Sequence, residues 1–259
     1  MKRFVRGMSA ALLLALACAA AGAQEFDDDE GWVRYSSLCV AFPFYSWDYD
    51  VDLDYDFLNY DIVPASFESN GYTFDYQAHH VSPTIGFAVL FRCGFGGWRG
   101  DYKASYGFLE GTYDEPEDVN LTYSYKDLKG FMTYFKVGLG KAFELLDDRL
   151  AIIPTAGVGL DLYALAKTED AYEEYDEGEK VSLHYAAFDG VIDIFLNVMA
   201  SYMFTEHFGL TASCEMSFPV FGVGYYRTGD GTVTKDGATT LDGFSSVNFM
   251  PAVGICLRF

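Results

Sequence analysis

Asn248-Phe249-Met250-Pro251-Ala252-Val253-Gly254-Ile255-Cys256-Leu257-Arg258-Phe259 is the stretch that decides the fold. Counting back from Phe259, every second residue (Leu257, Ile255, Val253, Pro251, Phe249) is apolar. The alternate set, Arg258, Cys256, Gly254, Ala252, Met250 and Asn248, is small or mixed. A strand turns successive side chains to opposite faces. An apolar outer set against a mixed inner set is the pattern of a strand that crosses a membrane.

The same rhythm runs upstream. In 150–166, Ile152, Pro154, Ala156, Val158, Leu160 and Leu162 alternate with Thr155, Gly157, Gly159 and Asp161. In 73–91, Val81, Ile85, Phe87, Val89 and Phe91 alternate with Ser82, Thr84, Gly86 and Ala88. The segment 183–204 is ambiguous, because Asp189, Asp193 and Asn197 are four apart and suit a helical stripe as well as a strand face. Its Gly190 and Val/Ile content favour a strand. Short turns at 143–150 and 204–210 separate long alternating segments, and acidic Tyr-rich stretches near 48–72, 112–121, 167–181 and 226–245 read as longer loops at the other end. Eight strands result, near 33–48, 73–91, 100–112, 122–141, 150–166, 183–204, 210–225 and 247–259, with ten as the alternative count. In lipid every backbone polar group must be paired internally, and a β-structure achieves that only by closing. The expected fold is all-β: a closed antiparallel transmembrane β-barrel.

Residues 1–23 read as an export signal, with Lys2, Arg3 and Arg6, an apolar run over 12–17 and the small-x-small site Ala21-Gly22-Ala23. Lipidation at Cys18 is the rival reading. Residues 24–259 are then a single barrel domain. The leader holds three basic and no acidic residues, so 14 Lys+Arg face 38 Asp+Glu and the net charge falls from −21 to −24. Such a chain repels nucleic acid, whose binding needs cations to displace counterions. Cys39, Cys93, Cys214 and Cys256 remain, and an exported compartment leaves their pairing open. Parity sets Cys256 inward and Cys214 toward lipid, so those two cannot join.

The first strand carries a second pattern. In Trp47-Asp48-Tyr49-Asp50-Val51-Asp52-Leu53-Asp54-Tyr55-Asp56-Phe57, Asp48, Asp50, Asp52, Asp54 and Asp56 share one face. Same-face neighbours stand about 6.8 Å apart, too far for two to share one Ca²⁺ with Ca–O contacts of about 2.4 Å. The ladder therefore reads as an acidic loop surface, and no cofactor or metal is expected. If its phase runs back unbroken, Leu38, Val40, Phe42 and Phe44 form an apolar lumen stripe that could hold a solute. A bulge near Tyr45-Ser46 would turn them to lipid instead. Parity also places Lys103, Lys136, Asp161, Asp189, Asp193, Glu215 and Arg258 in the lumen. A barrel of eight strands is filled by its side chains, so these charges are expected to pair rather than line a pore.

An aromatic residue ending an alternating strand resembles the assembly signal of bacterial outer-membrane barrels, which implies that Phe249, Val253, Ile255, Leu257 and Phe259 are read by the barrel-assembly machinery. The whole pattern resembles small eight-stranded barrels of the OmpX, OmpA and OmpW types, implying an outer-membrane location and contact with outer-membrane lipid and lipopolysaccharide. Ala78-His79-His80-Val81-Ser82-Pro83-Thr84-Ile85 is similar to the OmpW-family stretch in which His-His precedes Pro-Thr and a strand. That resemblance implies passage or binding of small hydrophobic solutes through an apolar lumen with a lateral opening. The alternative is a surface adhesion, interaction or structural barrel acting on an external protein ligand through acidic, Tyr-rich loops. His80-Val81-Ser82 has the His-x-Ser spacing of outer-membrane lipid A deacylases, but Pro83 follows where that family has Asn. A non-enzymatic barrel is expected, with a lipid-modifying hydrolase as the minor alternative.

Overall fold

The computed structural model describes residues 31–52, 62–112, 115–172, 180–229 and 234–259. Its strands are β1 (Val33–Ala41), β2 (Phe44–Asp52), β3 (Ile62–Val81), β4 (Phe87–Thr112), β5 (Glu115–Lys141), β6 (Phe143–Leu145), β7 (Leu150–Tyr172), β8 (Lys180–Met203), β9 (Phe208–Gly229), β10 (Thr234–Asp242) and β11 (Asn248–Arg258). β1 and β2 are two parts of one wall strand broken at Phe42-Pro43, and β10 and β11 are two parts of another. Among the described residues, antiparallel pairing runs β5-β4-β3-β1-β11-β9-β8-β7 and returns through β5–β7, a ring of eight wall strands. The terminal segments meet in it, with Tyr35 opposite Arg258 and Ala41 opposite Ala252.

The wall alternates as lipid requires. On β8, Val191, Asp193, Phe195, Asn197 and Met199 are buried while Ile192, Ile194, Leu196 and Val198 are exposed, so the ambiguous segment is a strand. On β7, Thr155 and Asp161 point in and Val158 and Leu160 point out. Exposed Phe249, Val253, Ile255, Leu257 and Phe259 lie on the outer face of the end segment, whereas Met250, Ala252 and Cys256 are buried. No helix among the described residues is long and apolar enough to cross a membrane. None of the four described cysteines is in a disulfide; Cys39 and Cys256 are buried and Cys214 is exposed.

Three expectations need correction. The strand expected over 73–91 runs through a turn: β3 ends at Val81 and β4 begins at Phe87. Ser82 N donates to Phe87 O, and Gly86 N donates to Ser82 O. Gly86 takes φ +68°, a conformation open to glycine at little cost. Val81 is inward and Phe91 outward, so the even spacing across the turn hid a change of face. Secondly, the acidic stretches expected to be long loops are largely strand. The ladders reach Asp52 opposite Ile62, Thr112 opposite Glu115, Tyr172 opposite Lys180 and Thr234 opposite Gly229. β-Ribbons thus continue beyond the length a bilayer needs, about ten residues per strand.

The third correction concerns the first wall strand. Leu38, Val40, Phe42 and Phe44 do not line the lumen; they are 59%, 36%, 43% and 52% exposed on the outer face. Their phase does run unbroken into the Asp ladder, since Ser46 and Asp48 are exposed too. The inward face is the aromatic one: Tyr45, Trp47 and Tyr49 are buried. Above the lipid both sides of a wall can meet water, so carboxylates there mark the outside rather than the lumen.

Candidate functional site

The lumen is filled in layers, and glycines on the inner face make room for its largest side chains. A Cβ at Gly94 would collide with the Tyr134 ring, one at Gly130 with Trp98, and one at Gly159 with the Asp193 carboxylate and the Lys136 stem. Small residues opposite large ones let a narrow barrel be packed solid.

At its middle lies a belt of six charged residues. Arg92 on β4 donates through Nε and Nη2 to Asp75 on β3, at 2.7 Å for the closest contact, and through Nη1 to Glu215 on β9 at 2.6 Å. Lys136 on β5 is held by three carboxylates, Asp193 at 2.5 Å, Glu215 at 2.8 Å and Asp161 at 3.3 Å. Every one of these side chains is at most 1% exposed. The Tyr134 ring faces both cations at 5.6 and 5.7 Å, and its hydroxyl pairs with Thr73 at 3.2 Å. Glu215 joins the two halves into one network, because each of its oxygens takes a different cation. Gln77 extends it, donating to Asp75 at 2.8 Å and Ser213 at 2.9 Å.

An apolar layer of Val81, Ala88, Ala142, Ala151, Ile153, Met199 and Met203 lies toward the chain-terminal end of the barrel. That end is capped by Tyr35, whose hydroxyl donates to Glu144 at 2.5 Å, and by Arg258, which pairs with Glu144 at 3.4 Å and donates to the Asp148 carbonyl at 3.2 Å. Toward the other end the belt is covered by packed rings. Trp47 meets Tyr45, Tyr49, Phe67, Tyr163 and Phe244 with centroids 4.8–6.4 Å apart, and Phe67 meets Trp98 at 5.2 Å. Trp47 Nε1 donates to Asn248 at 2.8 Å, fixing the central indole.

Beside this aromatic cluster the wall is irregular. β10 leaves β2 after Asp242 opposite Asp50, and β11 rejoins at Phe249 opposite Phe44, so 243–247 drop out of the ladder. Two bonds bridge the gap: Ser245 N donates to Asp48 O, and Asp48 N donates to Ser246 Oγ, both at 2.9 Å. On the neighbouring side, β9 shifts register against β8 between Ile192 and Asp193, near Pro219, which has no N–H to donate. Phe244 turns from this seam into the cluster and stacks on Tyr49 at 5.4 Å. Exposed Phe44, Val220, Phe221, Val247 and Phe249 surround the seam outside.

Of the charges expected in the lumen, Lys136, Asp161, Asp193 and Glu215 are brought together. Arg258 belongs to the terminal cap. Asp189 is half-buried on β8 and stands apart from the belt. Lys103 is not in the lumen: it is exposed on the outer face of β4, because Trp98 and Tyr102 take the inward positions there. Asp48 of the acidic face is exposed; Asp50 and Asp52 lie in β2, and Asp54 and Asp56 lie outside the described residues. Arg92 and Asp75 escaped the sequence reading, although Arg92 stands between outward Phe91 and Cys93, a signal parity could have used. His80 and Ser82 do not share a strand face, since Ser82 opens the turn.

No family model and no curated protein sequence matches the chain. In structure it is similar to a major outer membrane protein from Thermus thermophilus, with 11% identity, a TM-score of 0.51, and 88% of this chain and 99% of that one covered. It is also similar to the outer membrane protein OprG from Pseudomonas aeruginosa, with 9% identity, a TM-score of 0.52, and coverage of 89% and 97%. With its exposed apolar outer face and its buried charged and aromatic lumen, the chain has the fold of the small β-barrel proteins of the bacterial outer membrane.

Proposed function

We propose that this protein is a sealed outer-membrane barrel that works at its external end, as an interaction or structural protein, rather than a channel. The observation that carries this reading is the belt: Arg92 and Lys136, tied to four carboxylates, occupy the centre of the lumen. Separating buried ion partners leaves uncompensated charge, so a belt of this kind resists opening. What the barrel offers to the outside is the sequence rich in Asp, Glu and Tyr over 48–72 and 112–125, whose described residues 48–52, 62–72, 112 and 115–125 lie on extended β-ribbons. Their partner is a basic protein or peptide surface. The outward residues Phe249, Val253, Ile255, Leu257 and Phe259 serve as the segment that the assembly machinery reads, and no catalytic step is part of the proposal. The test is saturable binding of a lysine-rich peptide to the barrel in neutral detergent. Replacing 53–61 with a Gly-Ser connection should weaken it at least fivefold; unchanged binding would refute the role of that segment.

A second reading has one observation in its favour, the seam beside the aromatic cluster. A small apolar solute could enter among Trp47, Tyr49 and Phe244 and leave sideways past Phe44 and Phe249 into lipid, without crossing the belt. Quenching of indole fluorescence by a saturating small aromatic solute, abolished in Phe244→Ala, would favour this route. Indole emission indifferent to such solutes would exclude it.

A further inference from the structure

The buried layer between the belt and the terminal cap is rich in sulfur, and neither reading uses it. Cys256 on β11 and Met199 and Met203 on β8 are buried and pack in one cluster. On the two strands beside β11, the residues directly opposite Cys256 are Ser37 on β1 and Gly209 on β9. Each of these small residues lies under a methionine sulfur. Ser37 Oγ donates to Met199 Sδ at 3.8 Å. Met203 Sδ lies 2.8 Å from the point where a Cβ on Gly209 would stand, so any larger residue there would displace it. Neighbouring strands are about 4.8 Å apart. The Cys256 thiol is therefore flanked on both sides, one strand away, by a thioether.

This donor set selects what it can hold. Thiolate and thioether sulfurs are soft ligands and favour Cu(I). Among the described residues no group of three His, Cys, Asp or Glu side chains is disposed to hold a metal ion, so a four-coordinate ion such as Zn²⁺ has no cage. With metal–sulfur bonds of about 2.3 Å, three sulfurs around one ion stand roughly 4 Å from each other, which is close to one strand spacing. Charge agrees with distance. Cu(I) displaces the Cys256 thiol proton, a sulfur–copper bond replaces the sulfur–hydrogen bond, and the proton leaves to water. The thiolate cancels the charge of the ion, and a neutral unit suits a layer it shares with Val81, Ala88 and Ile153.

A disulfide is the competing fate of a thiol in an exported protein. Cys39 faces Gly254 while Cys256 faces Ser37, so the two cysteines are diagonal neighbours on the inner face. Diagonal positions are about 7–8 Å apart, beyond the reach of an unstrained disulfide. The geometry thus leaves Cys256 available as a ligand.

We propose that Cys256, Met199 and Met203 form a binding site for Cu(I), entered from the chain-terminal end of the barrel. Arg258 follows Cys256 on the inner face, and its pairing with Glu144 closes that mouth with both side chains partly exposed. An ion arriving there reaches the sulfurs without crossing the belt, so the site is compatible with a sealed lumen.

The test offers the full barrel, in neutral detergent with ascorbate, Cu(I) from its coloured bicinchoninate complex. Wild-type protein should withdraw one Cu(I) per barrel, and X-ray absorption at the copper edge should show sulfur neighbours at about 2.3 Å. Losing even a group that supports a ligand costs about 10–100-fold in metal affinity, so Cys256→Ser should weaken uptake at least about a hundredfold, and Met199→Leu and Met203→Leu about tenfold each. The leucine variants conserve side-chain volume and so keep the fold. Cys214→Ser, on the outer face, should bind as wild type. Equal Cu(I) affinity in Cys256→Ser and wild type, or a copper shell of nitrogen and oxygen, would overturn the proposal. So would a Cys39–Cys256 disulfide in protein isolated without reductant, because Cys256 would then have no thiolate to give.

Discussion

The belt and the aromatic cluster fill the same lumen a few residues apart and close it by opposite means. In the belt, Lys136 is surrounded by three carboxylates and Arg92 by two, all out of reach of water. In the cluster, rings from β2, β3, β4, β7 and the 243–247 segment meet mostly edge to face, with one hydrogen bond from Trp47. Edge-to-face contacts are each worth about 0.5–1.5 kcal/mol beyond burial and can reform after sliding. A buried charge stripped of its partner has no such freedom. On the proposed reading the barrier sits in the belt, and adaptability sits in the aromatic cluster, beside the break in the ladder where β2, β10 and β11 meet.

Substitutions can break that contrast from the belt side first. Lys136→Met leaves Asp161 and Asp193 without their cation and Glu215 with half its partners; it should cost about 3–5 kcal/mol in denaturant unfolding from lipid. A loss below about 1 kcal/mol would mean that the belt is not a closed network. Leu38→Arg sharpens the contrast from outside. In an acid-rich lumen an added arginine would be welcomed, whereas on the lipid face near mid-membrane it should cost about 2–4 kcal/mol. Unchanged stability would put Leu38 back inside.

Smaller effects separate packing from pairing. Gly159→Ala sets a methyl group against the Asp193 carboxylate and the Lys136 stem, and such overpacking should cost about 1–3 kcal/mol. Trp47→Phe keeps most of the ring contacts but removes the bond to Asn248, which still holds Ser217. A loss of about 1 kcal/mol is expected, and one as large as that of Lys136→Met would erase the difference between the two regions.

Much of this was legible in the chain itself, for reasons that differ by place. Where a strand lies against lipid on one side and packed side chains on the other, as at 150–162 and 248–259, polarity reports the face directly. Parity alone accordingly places Lys136, Asp161, Asp193 and Glu215 inward. It could not show that they converge, because convergence depends on the tilt and register of several different strands. Two local signals misled. Val81 and Phe91 have the same parity, yet the connection over 82–86 moves them to opposite faces. Beyond the lipid, the Asp ladder's polarity no longer distinguishes lumen from outside, and Trp47 and Tyr49 show which side is which only through their packing. The break at 243–247 had a sequence trace in Gly243-Phe244-Ser245-Ser246, a turn-like run at the boundary between the loop expected over 226–245 and the strand expected over 247–259.

Single-molecule conductance of the purified barrel in a planar lipid bilayer tests the central claim most directly. A lumen closed by the Arg92–Lys136 belt between apolar layers should leave the membrane current at its baseline over a wide voltage range. Stable, ohmic conductance steps from the wild-type protein would contradict it, because ions would then be crossing the plane that the six charged residues fill.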